Sequence, residues 1–223
     1  MKNAKILLSV ALIILAGLAL SLVSYQNKID LEYRESLDET IVTVDENALT
    51  LRDLTYYIVK QELFVENQAK IYDIDNTNTY WGLRLKRTGG FVKLEAKQAI
   101  IDAAVHDEIF YQMARAEEIV LDEEETEKLL WMQYDFWADL EETQVKRLGV
   151  DRKDVNSVME RIAIAQKYQR IYTPQHHTDS GYFDVGEEGY IQLLEEHRYK
   201  VNESVWKRIP FGNIIVDHGV RED

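Results

Sequence analysis

The sequence predicts a mainly α protein: an N-terminal transmembrane helix, then a helical domain whose two ends meet in a short strand pair. Three observations carry this reading. Ile6–Val23 contains no charged residue. Apolar side chains recur at helical spacing in four stretches between Leu51 and Tyr172. Finally, Thr40–Val44 and Asn213–Val216, rich in β-branched residues, sit near the two ends of the chain beyond the apolar run.

The first 24 residues read as a membrane anchor or uncleaved signal. As a helix, Ile6–Val23 spans about 27 Å, close to the roughly 30 Å hydrocarbon core of a bilayer. Lys2 and Lys5 precede it, and Ile6, Leu15 and Val23 mark its start, middle and end. A cleaved signal has a shorter core closed by a small-x-small site, and the one passable site, Ala19-Leu20-Ser21, lies inside the apolar run. The short amino-terminal side favours the inner face, although Lys28 and Arg34 follow the segment. The expectation is a single-pass protein of the cell membrane, with the bilayer as partner and the carboxy-terminal domain on the extracytoplasmic side.

The chain has 40 Asp plus Glu against 26 Lys plus Arg, a net charge of −14. Such a body repels nucleic acid and anionic headgroups, so no nucleic-acid partner is expected. With no cysteine, disulfides, thiol catalysis and thiolate metal sites are excluded.

Residues 25–39 read as a polar tether, and 40–172 as the helical domain. Thr40–Val44 is a strand bounded by the turn Asp45-Glu46-Asn47. Thr50 with Asp53 starts a helix that runs to about Tyr72. A polar loop comes next, then Tyr80-Trp81 and the lead-in Gly89-Gly90. Leu94, Ile101, Val105, Ile109 and Met113 line a helix over about 91–117, apolar on more than one stripe and therefore central. The next helix is expected over about 122–148, burying Leu129, Met132, Phe136 and Leu140, with Gly149 as its cap. A fourth runs from near Asp151 towards Tyr172. Residues 173–186 form a linker, and 187–223 a returning segment: a helix, a short helical turn, and the strand Asn213–Val216.

Motif by motif, catalytic chemistry finds little purchase. Asp73-Ile74-Asp75-Asn76-Thr77-Asn78 begins like a calcium loop, but Asn78 stands where glycine is needed and Arg84 where a bidentate Glu should close the shell. His176-His177 lacks a third ligand nearby. His106, His197 and His218 are isolated and read as surface or hydrogen-bonded residues. The acidic run between Glu117 and Glu127 reads as a solvated helix entrance. No serine sits in a nucleophile elbow, and no lysine-bearing phosphate signature follows Gly89-Gly90. The expectation is no catalytic, cofactor or metal residue, and no enzyme. The aromatic residues remain. Tyr56, Tyr57, Met132, Tyr134, Tyr168 and Tyr172 are the candidates for a surface that accepts varied apolar segments, and Trp81, Trp137 and Trp206 are the expected core pillars.

In order and spacing, these features resemble the SurA/PrsA-type exported foldases. The resemblance spans roughly residues 38–216. It rests on strand Thr40–Val44 with Ala48-Leu49-Thr50 and a helix, on Tyr80-Trp81, on Leu121–Glu125, on Leu148-Gly149-Val150, and on Tyr199–Trp206 as the returning segment. Asp45-Glu46-Asn47 replaces the Asn-Gly-Glu turn typical of the family. Thr173–Gly186 stands where many members carry a parvulin prolyl-isomerase of roughly 90 residues, too short a stretch for such a fold. The resemblance implies a SurA N-terminal-like chaperone domain without the isomerase, tethered to the membrane of a Gram-positive bacterium. Its partners would be unfolded or exported polypeptides, and a homodimer is compatible with it. The alternative is a dedicated scaffold for one membrane or secretion partner, with peptidyl-prolyl isomerase activity a more distant third.

Overall fold

In β1 (Thr40–Val44), the apolar residues Ile41, Val42 and Val44 are buried. β1 folds back onto β2 (Asn47–Thr50) as an antiparallel hairpin that pairs Val44 with Asn47 and Thr43 with Ala48. The tight connection puts Asp45 at φ +53°, in the left-handed region that Asp tolerates better than most residues. Its carboxylate accepts the Arg198 N–H and lies 2.7 Å from His197 Nδ1, tying the turn to the chain entering β3 (Tyr199–Val201). β3 completes a sheet of order β2-β1-β3.

The computed structural model describes residues 30–218. The expected anchor, with Ile6, Leu15 and Val23, lies outside the described residues. Among those described, no helix is long and apolar enough to cross a membrane.

Thr50 ends β2 and caps α1 (Leu51–Tyr72) through a reciprocal capping box with Asp53. The single turn α2 (Asn78–Trp81) follows a loop in which Asp73 Oδ1 accepts the N–H groups of Asp75 and Asn76. α3 (Val92–Ala116) packs against both α1 and α6 (Arg152–His176), and these three long helices form the frame of the core. α3 buries Ile100, Ile101, Ala104, Val105, Ile109 and Phe110, whereas Leu94 faces solvent. The small Ala96 and Ala104 allow close approach.

The helix expected over 122–148 is two helices, α4 (Glu123–Ala138) and α5 (Glu142–Leu148). Glu141 breaks it by forming a fresh capping box with Gln144 while Leu140 turns inward. Gly149 ends α5 at φ +61°, pressed against the Arg34 side chain where a Cβ would not fit. α6 runs through Pro174 to His176, so its last turn takes the start of the stretch read as linker. α7 (Glu188–Glu196) and the short α8 (Glu203–Trp206) flank β3.

The expected pairing of Thr40–Val44 with Asn213–Val216 is not found, and Tyr199–Val201 takes that edge of β1. Residues 207–218 form no helix or strand. Gly212, at φ +88°, bends this stretch beside the Trp81 ring, and the amides of Gly212, Ile214 and Ile215 bond to the buried Glu62 carboxylate instead of a strand. The sheet instead joins Thr40–Val44 to Tyr199–Val201, near the start of the returning segment.

Candidate functional site

α4 is anchored on one side and bare on the other. Leu129, Phe136 and Trp137 are buried, with Phe136 against Tyr56 of α1 at 5.3 Å between ring centroids. The Trp137 indole N–H donates to Asn156 Oδ1 of α6 at 2.9 Å, and Gln133 donates to the Asn156 carbonyl. Arg152 covers the Trp137 ring at 5.1 Å. These contacts fix the rotation of α4 and leave Leu130, Trp131, Met132 and Tyr134 outside, exposed by 61%, 62%, 44% and 67%. Trp131 and Tyr134, three residues apart, meet edge to face at 6.4 Å. Leu130, Trp131 and Tyr134, neighbours at three- and four-residue spacing, form an exposed patch of the kind that marks an interaction surface, and Met132 is exposed on the opposite flank of the helix, beside Leu129.

Two clefts run towards either end of the α4–α6 contact. One is lined by Leu130, Tyr134, Trp137 and Arg152, the other by Leu121, Leu129, Met132 and Ala163 with charged rims. At the second, Asp122 caps α4 and its carboxyl is held below the usual range, chiefly by the Glu125 N–H. Glu125 in turn reaches Lys167 at 2.5 Å. The acidic entrance to α4 is therefore paired with α6 as well as solvated.

The six candidates separate sharply. Met132 and Tyr134 are both exposed on α4, on opposite flanks of the helix. Helical spacing puts Met132 beside Leu129 and Phe136, and the structure leaves it at the edge of that stripe, lining a cleft with Leu129 and Ala163. Tyr56 is half-buried between Tyr57 and Phe136. Tyr57 donates its hydroxyl to Asp107 at 3.0 Å, and burial pushes its ionisation well above the ordinary range. Tyr168 is buried, its hydroxyl donating to Glu117, and is pushed up to about 12 by burial. Tyr172 is half-buried among Tyr168, Phe183 and a stacked His176. Tyr168 is thus a packing residue, while Tyr56, Tyr57 and Tyr172 pack against the frame with part of each side chain left accessible. Leu130 and Trp131 are the surface residues missing from the candidates. Their signal is positional: both fall outside the stripe of Leu129, Phe136 and Leu140.

Trp81, Trp137 and Trp206 are all buried. The indole of Trp81 donates to Glu66 at 2.9 Å, and Lys97 lies over Trp206. His106, His197 and His218 are each hydrogen-bonded. His106 is buried between Asp107 and the Phe183 carbonyl, His197 faces Asp45, and His218 Nε2 donates to the Gly212 carbonyl.

A second candidate lies where α1, α3 and α6 meet, around Asp53, Tyr57, Asp107, Glu108 and Arg161. Each group already has a partner: Arg161 bonds Asp53 at 2.6 Å, Tyr57 bonds Asp107, and Gln112 bonds Glu108. This is a polar junction between helices. Among the described residues, no group of three or more His, Cys, Asp or Glu is placed to hold a metal ion.

The junction does shape the response to pH. Burial raises the carboxyls of Glu108 and Glu62 above the ordinary 4.5, so the folded state holds their protons more tightly than the unfolded state. Their contribution to stability is complete below pH 4.5 and is lost as pH rises through the raised values. Asp45, Asp122 and Asp217 are lowered from 3.8, by the Arg198 N–H, the Glu125 N–H and the Arg147 guanidinium respectively. Their contribution is lost as pH falls through the lowered values. Melting followed from about pH 3 to 8 should therefore peak between about pH 4 and 5. Glu108→Gln should flatten the limb above the peak, and a melting temperature that climbs steadily to about pH 8 would contradict this assignment.

Comparison with family models, with curated proteins and with solved structures finds no match.

Proposed function

We propose that this chain is a membrane-tethered, extracytoplasmic, chaperone-like protein that holds unfolded or exported polypeptides without catalysing a reaction on them. The observation that carries the reading is the bare face of α4. Leu130, Trp131 and Tyr134 offer apolar area with one polar tip, and Met132 adds an adaptable thioether on the neighbouring flank, the mix that accepts many apolar segments without demanding one sequence. The net charge of −14 keeps a loaded complex soluble and favours basic clients. Further support comes from the element order: a first strand leading into a helical frame, and a returning segment that comes back to the start of the domain, an order similar to that of the SurA/PrsA-type foldases. Only residues 177–187 separate α6 from α7, which leaves no room there for an isomerase fold. The tether rests on the composition of Ile6–Val23.

A dedicated scaffold would use the same face for one partner. The two readings separate by light scattering from two unrelated, chemically denatured clients, one basic and one acidic, with and without the full chain. A holdase suppresses aggregation of both at near-stoichiometric ratios, the basic one more strongly at low salt. Suppression of neither would overturn the holding reading and favour the scaffold.

A further inference from the structure

Residues 207–218, after α8, form no regular structure, yet side chains from three helices meet their backbone. Glu62 of α1, fully buried, accepts the N–H groups of Gly212, Ile214 and Ile215. Lys97 of α3 donates to the carbonyl of Ile209 at 2.9 Å, and Gln144 of α5 to that of Ile215 at 3.0 Å. Between these anchors, Ile209, Phe211, Ile214, Ile215 and Val216 are all buried, with Phe211 edge-on to Trp81. Recognition is thus of main-chain groups plus apolar side chains, which is the chemistry of a site for irregular or extended apolar polypeptide rather than for one sequence.

Two features suit this cleft to opening. Its strongest anchors, Glu62 and Lys97, are ionisable groups that regain hydration when uncovered, so an emptied cleft is less costly than a bare apolar one. An open crevice lined by Tyr33, Arg34, Arg147, Pro210 and Ile214 also runs along the segment and gives a second chain a place to begin.

We propose that the cleft filled by Ile209–Val216 is a polypeptide-binding groove occupied in cis, from which an apolar segment of a client displaces the chain's own segment. This rests on the polypeptide-binding reading of the chain and adds a second, internal site to the face of α4. The chain's own segment then defines the ligand class: a short run of bulky apolar residues with a glycine at the bend beside Trp81.

The test is hydrogen exchange on the full chain, with and without excess synthetic peptide carrying the sequence of residues 208–218. Exchange at Gly212, Ile214 and Ile215 of the chain should speed up about tenfold or more, while α1 and α6 keep their protection. Gly212→Ala strains the cis segment through its positive φ and its approach to Trp81. That variant should bind the unmodified peptide about tenfold more tightly, because more of the groove is vacant. Should the variant fail to fold, the exchange experiment on the unaltered chain decides alone. Peptide bound with residues 209–216 still protected would overturn the groove and leave the α4 reading standing. Failure of the peptide to bind, while a denatured client is still held, would do the same. Failure to hold peptide or client of any kind would overturn both.

Discussion

Phe211→Ala should lower stability by about 4 kcal/mol and the melting temperature by roughly 10 °C. Phe211 is fully buried although it lies on a stretch with no helix or strand to support it. Its ring meets Trp81 at 5.6 Å, and Trp81 is itself pinned to Glu66 of α1. Truncation removes the transfer free energy of the ring and leaves a cavity that the main-chain bonds to Glu62 prevent from closing. The same change at Phe64, which is 58% exposed, should stay within about 0.5 kcal/mol. Thermal melting of the two variants side by side checks this. Equal, small shifts would mean that the returning segment is not part of the core.

The second large effect concerns binding. Replacing Leu130, Trp131 and Tyr134 together by serine should weaken capture of a denatured client more than about tenfold while leaving the melting temperature nearly unchanged. Burying one large apolar side chain is worth about 1.5–3 kcal/mol, so even partial burial of three exceeds the roughly 1.4 kcal/mol that corresponds to a factor of ten. Stability is spared because these side chains face water in the free protein, and the helix is held from its other side by Phe136 and Trp137. Fluorescence anisotropy of a labelled client, read beside the melting curve, separates the two effects. Unchanged affinity would remove the face of α4 from the binding site.

Local chemistry is legible in the sequence, and long-range choices are not. Thr50 with Asp53 announces the start of α1, and Gly149 the end of α5, because a cap needs only its own neighbours. The break at Asp139–Glu141 is harder, since the apolar spacing runs on through Leu140 and only the Glu141–Gln144 capping box betrays a new start. Which segment pairs with β1 is beyond pattern alone. Asn213–Val216 has the stronger β-branched composition, but its amides find Glu62, which no local rule connects to it. Tyr199–Val201 wins the edge of β1 because Asp45 holds Arg198 just before it.

The candidate surface is half visible in the sequence for the same reason. Met132 and Tyr134 have the adaptable side chains that suit a helix face, but which face is bare depends on how α4 is rotated. Asn156 and Arg152 set the rotation through Trp137, from a helix that follows later in the chain. Tyr168 and Tyr172 have the composition of a client surface, yet Tyr168 is buried with its hydroxyl on Glu117, and Tyr172 packs against Phe110 of α3 and Phe183. Composition names the kind of residue, and packing chooses among them.

The most direct measurement of the central claim is site-specific photo-crosslinking on the full chain. A benzophenone amino acid at position 131 is illuminated in the presence of a denatured basic client, beside a control at position 87, which is exposed on the loop before α3. If the bare face of α4 holds the client, strong adducts form from 131 and few from 87. Equal adducts from both positions, or none from 131 while the client remains bound, would contradict it.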